Sequence, residues 1–173
     1  MAEQECTVLT DVVIDSNAFF DLNVGGVLGN ILFLKDIYIF STTVFIEGEL
    51  RTIDTGNLRK IGIRFEDLSG SEVKRLENLV IEYPAASYED LSALVLAARL
   101  GCMLLTRDGA LQEAADKNGV PWDHSVWVID QMVEVEILQP VEGMSVIQSI
   151  LSKRPRFKDG IGMDRFKKLM NVR

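Results

Sequence analysis

Apolar and polar positions are most ordered between Ser87 and Asn118. Leu91, Leu94, Val95 and Ala98 recur at the i, i+3, i+4, i+7 spacing of one buried helix face, and Gly101 ends the pattern. Cys102 to Leu105 is an unbroken apolar run, which predicts a strand buried on both faces. Ala110 to Lys117 predicts a second helix, closed by Asn118-Gly119. Helix, buried strand and helix in so short a span make half of an α/β unit.

The remaining pattern fits that unit. Asp11 to Ile14 predicts a buried opening strand, followed by Asp15-Ser16-Asn17 and a helix over Ala18 to Leu22. Gly25-Gly26 and Gly29-Asn30 break this helix before Ile31 to Leu34 resumes it. Ile37 to Phe40 predicts a second strand, and Ser41-Thr42-Thr43 offers caps for a helix running to about Ile53. Thr55-Gly56-Asn57 reads as a loop, Ile61 to Phe65 as an edge strand and Ser71 to Ile81 as a helix. Gly119 to Trp122 turns the chain into a helical segment over Ser125 to Val135. Pro140 breaks that segment, and further helices are predicted over Gly143 to Leu151 and, in the tail, Arg165 to Met170. Strands alternating with helices predict a mainly parallel sheet with helices on both faces. Right-handed crossovers then bring the ends after Ile14, Phe40 and Leu105 to one edge, where α/β sheets collect their chemistry.

Composition narrows the class. A chain of 173 residues is long enough for one domain with a substantial core. No repeat or linker suggests a second module. The longest apolar stretch, Val24 to Leu34, contains three glycines and an asparagine and is too short to span a bilayer. The acidic start M-A-E-Q-E-C has no signal-peptide pattern, and Cys6 and Cys102 make no disulfide framework. A cytoplasmic protein with no membrane association is the expectation. The net charge of −8 argues against holding nucleic acid by bulk electrostatics. From Leu151 onward, however, eight Lys or Arg against two Asp give a local +6, leaving −14 on the rest. Residues 1–150 are therefore read as the domain and residues 151–173 as a basic helical tail, either a source of phosphate contacts or a solvated helix face or loose terminus.

Candidate chemistry lies in the acids at the common edge: Asp15, Asp108, Asp90 and, from the segment after Phe40, either Glu47 or Glu49. Four converging carboxylates without matching cations cannot all stay ionised unless something positive sits among them. Hard Mg²⁺ or Mn²⁺ suits such oxygen ligands, and metal-assisted phosphodiester hydrolysis is the chemistry served. Each acid also has an ordinary reading: Asp15 and Asp108 as N-caps, Asp90, three residues after Ser87, as the far member of a capping box, and Glu47 and Glu49 as solvated side chains.

Four segments resemble the PIN domain family of metal-dependent ribonucleases: V-V-I-D-S-N-A-F-F-D-L (Val12 to Leu22), S-T-T-V-F-I-E-G-E-L (Ser41 to Leu50), S-Y-E-D-L-S-A-L-V-L-A through L-L-T-R-D-G-A-L (Ser87 to Leu111), and G-V-P-W-D-H-S-V-W-V-I-D-Q-M-V (Gly119 to Val133). Together they cover roughly residues 11 to 138, in the family's order. The resemblance implies a PIN-like three-layer α/β fold and a Mg²⁺- or Mn²⁺-dependent endoribonuclease. Asp15, Asp90 and Asp108 match the metal-binding aspartates, with Glu47 as the fourth acid and Glu49 as the alternative. Asn17 and Thr106 match polar supports, and Ser87 caps the helix presenting Asp90. His124 is assigned no role. Implied partners are an RNA substrate, a small antitoxin protein and a second copy of the chain in a homodimer. The rival expectation is a catalytically silent PIN-fold module acting through protein or RNA contacts. A phosphatase or receiver domain ranks third: the first strand ends D-S-N-A without D-x-D, and no strand-end Lys is evident.

Overall fold

A computed structural model describes residues 9–154. The predicted helix over Arg165 to Met170, Cys6 and most of the basic tail lie outside the described residues. The fold is α/β, with a five-stranded, entirely parallel sheet flanked by helices.

The strands are β1 (Thr10–Ile14), β2 (Tyr38–Thr43), β3 (Arg64–Glu66), β4 (Met103–Leu105) and β5 (Trp122–Asp123), in the order β3-β2-β1-β4-β5. Val12, Val13, Ile14, Leu104 and Leu105 are fully buried, as continuous apolar runs covered on both faces should be. The helices are α1 (Ser16–Val24), α2 (Thr55–Lys60), α3 (Gly70–Glu82), α4 (Tyr88–Leu100), α5 (Gly109–Lys117), α6 (Val126–Glu134) and α7 (Pro140–Lys153). α4 packs on α3, α5 and the central strands, whereas α1, α6 and α7 pack together as a separate group. The chain leaves β1 toward β2 on one side and returns to β4 on the other, so the strand order reverses between β1 and β4. Beyond the carboxyl ends of strands flanking such a reversal, an open α/β sheet has its natural crevice.

α4 is more deeply set than its single apolar face predicts. Every residue from Asp90 to Ala97 is buried, which makes it a central helix rather than an amphipathic surface one. Gly101 ends it at φ 62°, a left-handed position that a side-chain-bearing residue adopts only at a cost. The strand from Cys102 is realised one residue later, and the edge strand predicted over Ile61 to Phe65 is realised as β3.

Several boundaries differ from the sequence reading. Ser41, Thr42 and Thr43 do not cap a helix; they are buried in β2. The Thr42 hydroxyl donates to the Ile14 carbonyl (2.8 Å). Thr43 Oγ1 meets Ser92 Oγ at 2.6 Å. Because the one Ser92 hydroxyl proton goes to the Glu89 carbonyl, Thr43 is the donor there. These side-chain bonds satisfy polar β-branched residues inside a sheet. The expected helix to Ile53 is instead a 3₁₀ turn, Val44–Gly48. The expected loop at Thr55 opens α2, because Asp54 caps it by accepting from Asn57 N. Gly29-Asn30 does not break a helix but lies within a second 3₁₀ segment, Leu28–Leu34. Trp122-Asp123 forms β5 rather than a turn. Pro140 starts α7 instead of merely ending what precedes it, with Gln139 and Glu142 as a capping box. α7 also runs through residue 150 to Lys153, so the proposed domain boundary falls inside its last turn.

Gly25 allows α1 and α7 to approach closely. A Cβ there would stand 2.8 Å from Val146 Cγ1 and 3.2 Å from Ile150 Cδ1. Among the described residues no single helix is long and apolar enough to cross a membrane. α1 and the 3₁₀ segment after it pass that test only together, bent by 103°, and their Phe19, Leu22, Ile31 and Leu34 side chains belong to the core.

Candidate metal centre

The crevice between β1 and β4 is built from strand ends. Asp15 follows β1, and its amide donates to the Leu105 carbonyl (3.1 Å), locking the two ends together. The Asp15 side chain is fully buried. Its Oδ1 accepts from Ala18 N (2.8 Å), so the N-cap reading holds. Its Oδ2 accepts from the Thr106 hydroxyl (2.6 Å), which capping does not require. Thr106 Oγ1 in turn accepts from Asp108 N (3.1 Å). This one hydroxyl therefore spans the ends of both central strands. Asp108 caps α5, accepting from Leu111 N (2.8 Å).

Asp90 enters from α4. Ser87 caps that helix, accepting from Asp90 N (2.9 Å), and fixes the backbone of the first turn. The Thr43 and Ser92 hydroxyls, with Ser92 donating on to the Glu89 carbonyl, tie the same turn to β2. Burial pushes the Asp90 carboxyl up to about 6, opposed by Ser87 and reinforced by the charges of Asp108 and Glu49. Burial likewise pushes Asp15 up to about 7, against its bonds to Thr106 and Ala18, and the charges it feels, Asp90 and Asp21, are both of its own sign.

The two glutamates part company. On a 3₁₀ turn, residues two apart lie about 240° apart around the axis, so only one faces the crevice. Contrary to the preference for Glu47, that residue turns outward: both its carboxylate oxygens bond Arg59 (2.9 and 3.0 Å), and Oε1 also accepts from Thr55 (2.9 Å). Arg59 holds its carboxyl below the usual range and itself lies on the Phe65 ring at 3.9 Å. Glu49 is the glutamate whose charge reaches Asp90. Its Oε2 is buried with no hydrogen-bond partner among the described residues.

Asn17, expected as a support of the acids, accepts from Arg154 (3.4 Å) instead. His124 is buried, its ring edge-on to Trp122 at 5.5 Å, in keeping with a structural role. Asp21 on α1 gathers a second polar group that no sequence motif marks: Arg107, Arg154 and Ser125, each from another segment. The available signal was Asp21 itself, an acid set among Phe19, Phe20 and Leu22 on an otherwise apolar helix.

The crevice is an electrostatic cluster rather than a finished cage. Among the described residues no three His, Cys, Asp or Glu side chains are already grouped as metal ligands. The residues nevertheless fit a hard cation: the donors are all carboxylate oxygens, and Glu49 Oε2 is buried and unpartnered. A cavity of about 300 Å³ lined by Arg75, Ala98, Gly101, Cys102, Asn118 and Pro121 opens at the other end of the sheet, before β4 and β5, away from the acids. Compared with known proteins, the chain matches no protein-family model and no curated sequence.

The raised carboxyls set a pH dependence. An acid whose folded pKa lies above its unfolded value of 3.8 stabilises the fold fully below pH 3.8, and that contribution is lost as pH rises through the folded value. The loss therefore begins near pH 3.8 and is complete only above about 6 for Asp90 and about 7 for Asp15. Metal-free protein in EDTA is therefore expected to melt at a lower temperature at pH 8 than at pH 5.5. A Tm that does not fall between these two values would contradict the burial of ionisable Asp15.

Proposed function

We propose that the chain is a Mg²⁺- or Mn²⁺-dependent endoribonuclease of PIN type, with Asp15, Asp90, Asp108 and Glu49 holding the cation. The observation that carries this reading is the coupling of acids from four separate segments beyond the ends of β1 and β4, around an Asp15 that is fully buried. Strand ends at an order reversal are where this architecture places ligands. When bound, the cation neutralises the clustered carboxylates and stabilises negative charge developing on a phosphoryl oxygen.

The chain's own residues do the positioning. Thr106 orients Asp15 Oδ2 and fixes the backbone at Asp108. Ser87 and the Thr43–Ser92 pair set the first turn of α4, which carries Asp90. Hydrolysis adds water across one P–O bond, its hydroxyl going to phosphorus and its proton to the leaving oxygen.

RNA is the substrate of this reading. A small antitoxin and a homodimer belong to it through the resemblance alone. The rival reading is a silent module of the same fold that binds without turnover. Both are tested by incubating the purified full chain with a single-stranded RNA oligonucleotide and Mn²⁺. The nuclease reading expects cleavage that stops in EDTA. Intact RNA together with measurable Mn²⁺ binding would favour the silent module, and no Mn²⁺ binding at all would overturn the metal centre.

A further inference from the structure

Asp21 lies six residues after Asp15 on the same helix, about 9 Å along its axis, and is fully buried. Two arginines from remote segments converge on it. Arg107, between Thr106 and Asp108, brings Nε to 3.5 Å from Oδ2, and Arg154, just past α7, brings Nε to 3.1 Å from Oδ1. Ser125 Oγ donates to Oδ2 at 3.0 Å and holds the carboxylate in place. Arg154 also lies 5.7 Å over the Phe20 ring, and its Nη2 reaches Asn17 Oδ1 at 3.4 Å, one residue past Ser16 and two past Asp15.

We propose that Arg154, with Arg107 beside it, forms a phosphate-binding lobe next to the acidic crevice that takes a backbone phosphate of RNA adjacent to the one cut. This rests on the ribonuclease reading. An acidic crevice repels a polyanion, so a substrate of this kind needs cationic contacts at its edge. Guanidinium suits the task, because its rigid fork of five donors matches phosphate oxygens. Asp21 engages Arg154 through Nε, and the only described bond of Nη2 is the long one to Asn17. The Arg154 side chain is 25 % exposed, so solvent and ligands can reach it. Arg154 also follows Lys153 at the start of the basic run of the sequence: residues 155–173 add six Lys or Arg against two Asp.

A purely structural ion pair pinning α7 to α1 would use the same contacts, so the test must separate the two. Asp15→Asn serves as a background that does not cut, and binding of a fluorescent single-stranded RNA oligonucleotide is followed by anisotropy across a salt series in Mg²⁺. Adding Arg154→Gln should weaken binding about tenfold at low salt. It should also reduce the slope of log affinity against log salt by about 0.7, the value of one lost phosphate contact. Arg154→Lys keeps the charge and should keep the slope. The proposal is overturned if Arg154→Gln leaves affinity and slope unchanged, if Arg154→Lys loses as much as Arg154→Gln while both melt earlier, or if the background protein binds no RNA. Mn²⁺ titration of the wild type and Arg154→Gln reports separately on the metal centre. Equal affinities are expected, and a wild type that takes no Mn²⁺ ends the ribonuclease reading without deciding the salt slope.

Discussion

Asp15→Asn is expected to reduce RNA cleavage by 10²- to 10³-fold or more, the scale of losing an electrostatic group at a reacting phosphate, and at the same time to stabilise the metal-free protein at pH 8. The second effect follows from burial. Asp15 is moved from 3.8 to about 7 chiefly by desolvation, and at about 1.36 kcal/mol per pKa unit the cost of ionising it is on the order of 4 kcal/mol. Asparagine removes that charge, keeps an oxygen for Ala18 N and caps a helix about as well as aspartate. Recovering only part of the cost raises Tm by several degrees, on the order of 5 °C for a chain of this size. The gain should shrink markedly toward pH 5 and vanish only below pH 3.8, where the carboxyl is protonated in the folded and unfolded states alike. Were Asp15 only a solvated cap, the substitution would leave both activity and the pH dependence of Tm unchanged. Cleavage assays and thermal melts at the two pH values check both halves.

Glu49→Gln is expected to weaken Mn²⁺ binding at least tenfold, whereas Glu47→Gln should leave it within about twofold. Glu49 is coupled to Asp90 and has a buried oxygen without a partner. Glu47 already spends both its oxygens on Arg59 and Thr55. Breaking that half-exposed ion pair should cost no more than about 1 kcal/mol after solvent screening. Calorimetric titration of the two variants decides the matter, and the reverse order of affinities would return the fourth ligand to Glu47.

How much of this was legible in the sequence follows from where each residue's partners lie. The unit from Ser87 to Lys117 was readable because its signals are local: an apolar period, a left-handed stop at Gly101 and a buried run before Thr106. The strand ends carrying Asp15 and Asp108 were placed by the same means. The stretch after Phe40 was misread because Ser41, Thr42 and Thr43 look like caps when taken alone. Their partners, Ile14 and Ser92, are supplied by other elements. The choice between the glutamates hinged on Arg59, on a helix the sequence reading took for a loop. Asp21 stayed unweighed for a similar reason, since nothing near it in the chain announces Arg107 or Arg154.

The account rests on carboxylates from distant segments sharing one divalent ion. Crystals of the full chain soaked in Mn²⁺ and measured at the manganese absorption edge test it most directly. The expected anomalous peak lies beyond the ends of β1 and β4, with oxygens of at least two of Asp15, Asp90, Asp108 and Glu49 at roughly 2.1 Å, the range of a small octahedral cation. A saturating soak that leaves this edge empty, or that puts the ion on Glu47 or elsewhere on the surface, would contradict it.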